Sequence, residues 1–108
     1  MTRVSFFRDD RGNPRVTTAE GDAGLANFLE EEAVGEERVA FLLDLVRGAR
    51  DAVSDVREGG NASVLVARGG RVRVEHDYVG GPVELSSDEF ATILADWDQF
   101  VRNPPEGR

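Results

Sequence analysis

The sequence predicts one α+β domain: an antiparallel meander of about five strands, packed on one side by two or three helices. Three observations carry that class. Residues 62–85 hold strand-like runs joined by glycine turns, with no helical stretch between them. A parallel sheet needs crossover helices there. Residues 21–51 and 86–101 instead repeat apolar side chains at the 3.6-residue helical period. With 108 residues, 40% of them apolar and 31% charged, the chain suits a single core. The domain is expected over residues 1–103, with a frayed tail over 104–108.

Taking the elements in order, residues 3–8 and 15–19 read as two strands. Between them Asp9-Asp10-Arg11-Gly12-Asn13-Pro14 has turn chemistry throughout, so the pair forms a hairpin with a loop longer than two residues. Gly21-Asp22 opens a helix in which Leu25, Phe28 and Leu29 share one face. Glu30, Glu31 and Glu32 fall in its last turn, the unfavourable end for the helix dipole. Gly35 breaks the pattern. Glu36 and Glu37 begin a second helix at the favourable end, and Val39, Leu42, Leu43 and Val46 line its apolar stripe. Gly48 is expected inside that helix, either for close packing or merely tolerated, at about 0.5–1 kcal/mol relative to Ala.

Gly59-Gly60-Asn61 is a break. Ser63–Ala67 is apolar on both faces and is expected to be a central strand. Gly69-Gly70 is the pair of a two-residue hairpin turn. Beyond it Val72 and Val74 point inward while Arg71, Arg73, Glu75 and Asp77 point outward. Val83–Leu85 is a short strand. Ser86 and Glu89 have capping-box spacing at the start of the last helix. Phe90, Ile93, Leu94, Trp97, Phe100 and Val101 cover one face of that helix, and Pro104-Pro105 stops it.

Composition restricts function. The chain lacks cysteine, which excludes a disulfide framework and a thiolate metal site. No apolar run approaches the roughly 20 residues of a membrane span, and the charged N-terminus does not read as a signal peptide. A cytoplasmic protein without a membrane partner is expected. Net charge is −8, from 21 acids against 13 bases. That field disfavours direct nucleic-acid binding and favours a basic protein partner. It also simply keeps a small domain soluble. All 13 bases are arginine, a pattern that codon bias in a GC-rich genome explains.

No catalytic motif emerges. His76, the one histidine, is flanked by Glu75 and Asp77, but neighbours on a strand point to opposite faces, so the three cannot converge. Glu30, Glu31 and Glu32 fan around a helix and cannot meet on a cation. Ser86-Ser87 fits a helix cap, and the paired glycines fit turns, not phosphate loops. No enzyme activity, cofactor or metal is expected.

Gly60-Asn61-Ala62, a strand, a hairpin, then Val83-Glu84-Leu85-Ser86 with Glu89-Phe90, Ile93-Leu94, Trp97 and Phe100 carry a resemblance. Over residues 57–101 the chain resembles the small acidic immunity proteins of contact-dependent growth inhibition and related polymorphic-toxin systems. The resemblance implies a non-enzymatic protein that binds and neutralises the nuclease domain of a cognate toxin. The matched positions are caps and core, so they report fold and transfer no contact residue. The alternative is an adaptor or regulatory domain for another basic protein. From the sequence itself, two acidic clusters are the candidate partner surface. One is Glu75, Asp77 and Glu84, with Tyr78 as an aromatic anchor. The other is Glu30, Glu31, Glu32, Glu36 and Glu37 around the connection of two helices.

Overall fold

Among the described residues, the period-two runs become six strands and the helical patterns three helices. In this computed structural model, which describes residues 3–60, 62–77 and 81–103, β1 (Val4–Arg8) and β2 (Pro14–Thr18) form an antiparallel hairpin. A short 3-10 turn (Glu20–Asp22) leads into α1 (Ala23–Glu31), and α2 (Glu36–Gly48) follows. Then come β3 (Val56–Gly59), β4 (Ser63–Arg68), β5 (Arg71–His76), β6 (Val83–Ser86) and α3 (Ser87–Arg102). The tail expected to fray and Tyr78 lie outside the described residues.

The α+β class is what the chain adopts, with a meander packed against helices. That meander has four strands in the order β3-β4-β5-β6, and the β1–β2 hairpin is a separate two-stranded sheet. The division has a physical cause. α1 packs on both β5 and β2, and α3 on β5, β6 and β1, so these helices form a layer between the two sheets. Phe28 of α1 meets Phe90 of α3 with ring centroids 6.0 Å apart inside that layer.

Register decides which side of the meander the helices cover. Ala67, Val72 and Leu85 lie in one cross-strand row, and Leu65, Val74 and Val83 in the next. All six are buried, and each of the five valines and leucines contributes on the order of 1.5–3 kcal/mol by leaving water. Glu58 falls on the same side, opposite Leu65. This acid is answered by Arg38 of α2, whose guanidinium donates to it at 3.0 Å. Trp97 and Phe100 of α3 receive Phe6 of β1, with centroids 5.3 and 5.6 Å away.

The turns follow their chemistry. Gly69 and Gly70 have φ of 54° and 76°, as the mirror-image two-residue turn requires. Backbone bonds tether this turn at both ends. Gly69 N–H donates to Ala49 O, and Ser87 N–H to Gly70 O, each at 2.9 Å. In the first hairpin Asp9 Oδ1 accepts from the backbone N–H of Arg11 at 2.9 Å and of Asn13 at 3.0 Å. Those bonds, the one from Asn13 first, hold the Asp9 carboxyl below its ordinary value.

Three local readings are refined. Gly48 does lie in α2, as its last residue, and nothing stands within 4 Å of where its Cβ would be, so of the two readings it is tolerated rather than needed for close packing. Ser86 does cap α3, accepting from Glu89 N–H at 3.0 Å. The return half of the capping box is missing among the described contacts, because the Glu89 carboxylate instead accepts from Arg3 at 3.2 Å. Finally, residues 56–59 form a strand that propensity does not announce.

Candidate functional site

The open face of the meander carries the first predicted cluster. Alternation puts Arg57, Arg68, Arg71, Arg73, Glu75 and Glu84 on the side away from the helices. Arg73 sits between the two acids, with Nε 2.8 Å from Glu75 and NH1 4.0 Å from Glu84. The closer approach is ionic, since the enclosed Nε makes no aligned hydrogen bond. Asp55 lies within 4 Å of both Arg57 and Arg68. Val66 is buried beneath these side chains although it faces away from the core. Arginine stems can shield an apolar floor in this way. Around it Arg68, Arg71, Arg73, Asp55 and Glu84 line a cleft of about 290 Å³. Glu75 and Glu84 therefore stand within an arginine-rich face. Asp77 lies just past β5 and is exposed, its N–H bonded to Ala62 O at 2.8 Å.

The second cluster is dispersed. Glu30 turns to the hairpin, where Oε2 accepts from Val16 N–H at 2.6 Å and lies 3.3 Å from Arg15 Nε. The hydrogen bond to Glu30 holds the Arg15 guanidinium above its ordinary value. Glu31 lies 3.3 Å from Nε2 of His76, whose side chain is only 4% exposed. His76 thus points toward α1, away from Glu75 and Asp77, as strand alternation requires. Glu32 packs its carboxylate against Gly60, so that a side chain there would displace it. Glu36 is exposed and accepts from Arg102 at 2.6 Å. Glu37 is exposed in the first turn of α2. The structure brings Glu31 to His76 at the end of β5, but it does not gather all five acids into one surface.

A third acidic surface was missed by the sequence reading. Arg3, Val4 and Phe6 of the β1 region and Asp88, Glu89, Thr92, Ile93 and Asp96 of α3 line a groove of about 430 Å³. Arg3 donates to Asp22 at 2.9 Å and to Glu89 at 3.2 Å, and the bond to Asp22 raises its affinity for its proton. Asp88 pairs with Arg50. Asp96 is exposed and makes no ion pair among the described residues. The signal was present: Asp88, Glu89 and Asp96 flank the apolar stripe of α3 on one side at helical spacing.

Among the described residues, no three His, Asp or Glu side chains are disposed to hold a metal ion, and no helix is long and apolar enough to cross a membrane. No protein family, curated protein or solved structure matches this chain.

Proposed function

We propose that this protein is a non-enzymatic inhibitor that binds a basic toxin domain, a nuclease in the simplest case, through its acidic surface. The supporting observation is the uneven distribution of charge. Among the described side chains, the open sheet face and its margin hold Arg57, Arg68, Arg71 and Arg73 against Asp55, Glu75, Asp77 and Glu84, leaving eight bases against fifteen acids elsewhere. The excess of acids among the described side chains therefore lies away from the open face of the meander. A nuclease surface built to attract phosphates is basic. An acidic protein steers toward such a surface quickly and competes with its substrate. The resemblance over residues 57–101 points the same way.

The test is co-expression with the product of the adjacent gene. A stable stoichiometric complex that abolishes a toxic activity is expected, with association slowing as salt rises. A neighbour that is neither toxic nor bound would remove this reading.

A further inference from the structure

The free edge of β1 is an unfilled strand position with acids beside it. Three observations fix which way its backbone groups point. Val16 N–H donates to Glu30, away from β1. Asp9 N–H donates to Asn13 O at 3.0 Å across the hairpin. Pro14, with no N–H to give, stands opposite Arg8. Hydrogen-bonded and non-hydrogen-bonded pairs alternate along an antiparallel ladder. Asp9 with Asn13, Phe7 with Arg15 and Ser5 with Thr17 are therefore the bonded pairs. Arg8, Phe6 and Val4 occupy the others, so the N–H and C=O of Val4 and Phe6 point outward. Among the described residues these groups have no hydrogen-bond partner. The corresponding edge of β2 differs, because Glu30 and α1 occupy it.

The groove described above opens along this β1 edge. Its far wall is the flank of α3 that carries Asp88, Glu89, Thr92 and Asp96. Its lining holds three carboxylates against one guanidinium. An added strand finds backbone partners at Val4 and Phe6, and its alternate side chains face α3.

We infer that this groove takes an extended segment of a basic partner, added to β1 as a third strand of the hairpin sheet, with arginine or lysine side chains set against Asp96 and Glu89. The inference rests on the reading of this protein as a binder of basic domains and names the surface that does it. Main-chain bonding supplies affinity, and the acids on α3 select the charge of the added segment.

The full chain, labelled with nitrogen-15, is titrated with a short end-capped peptide alternating arginine and valine. Two counterparts accompany it: one with glutamate for arginine, and one with proline for valine, which keeps the charge and loses the strand. The expected result is amide shifts at Val4, Phe6, Thr92 and Asp96, with slowed exchange at Val4 and Phe6, from the first peptide alone. Thr92→Arg and Asp96→Arg, both at exposed helix positions, should weaken that binding about tenfold or more while leaving Tm unchanged. No binding, equal binding of the proline peptide, or shifts confined to the acids of α1 and α2 would overturn the inference. So would a dimer that Thr92→Arg dissolves, which would give the edge to a second copy. A toxic partner retained equally by wild type and Thr92→Arg removes the groove and leaves the proposed function standing. A peptide seated in the groove with no toxic partner found does the reverse.

Discussion

Trp97 donates its indole N–H to the carbonyl oxygen of Ala33 at 3.0 Å, both residues being almost wholly buried. This bond ties α3 to the connection between α1 and α2. It also accounts for the one tryptophan of the chain as a core residue with a polar handle rather than a stacking platform.

Trp97→Phe keeps an aromatic ring but leaves the Ala33 carbonyl without its donor and opens a cavity. A loss of about 2–4 kcal/mol is expected. Urea unfolding should show a lower midpoint with an unchanged slope.

The two halves of the α3 cap should separate. Ser86→Ala removes the acceptor for Glu89 N–H and should cost about 1 kcal/mol. Glu89→Gln should cost no more than about 0.5 kcal/mol, because that side chain serves an exposed contact with Arg3 rather than a reciprocal cap. Thermal unfolding of both variants beside wild type measures the difference.

Glycine substitutions should change sign with position. Gly48→Ala has open space and lies in a helix, so it should stabilise by about 0.5–1 kcal/mol. Gly70→Ala forces a side chain onto φ 76° and should cost about 1–2 kcal/mol. Chemical denaturation of the two variants should bracket the wild type.

Asp9 gives a pH dependence whose sign is fixed. Its folded-state pKa lies below the ordinary value of 3.8. Its contribution is therefore present above the unfolded pKa and disappears as pH falls through the folded one. Asp9→Asn retains an acceptor for Arg11 and Asn13 but cannot titrate. Its Tm should fall less steeply than wild type between neutral pH and acid, measured by circular dichroism at low ionic strength.

Much of the fold was legible because local chemistry and tertiary demand agree. Gly69-Gly70, Val72 and Val74, and the stripe from Phe90 to Trp97 state their roles within a few residues. β3 was not legible. Val56-Arg57-Glu58-Gly59 carries one apolar residue and two charges, the composition of an edge strand that avoids pairing with other chains. What makes Glu58 acceptable on the inner side is Arg38, twenty residues earlier. The dispersal of the second acidic cluster was hidden for a related reason. Glu30, Glu31 and Glu32 are neighbours in sequence, yet helical rotation sends them to β2, to His76 and to Gly60. The groove beside β1 depends on α3 lying under the first hairpin, a long-range arrangement no local pattern encodes.

Arg8 donates from one guanidinium nitrogen to the carbonyls of Phe100, Val101 and Asn103, at 2.8, 3.3 and 3.0 Å, and lies over the Phe100 ring. The opening strand is thus held by the last turn of the final helix. During synthesis, the hairpin must wait for residues 97–103 to leave the ribosome before Phe6 and Arg8 find their partners. Docking of the first hairpin is therefore governed by α3, and a nascent chain stalled before residue 100 would present a sticky, undocked ribbon to chaperones.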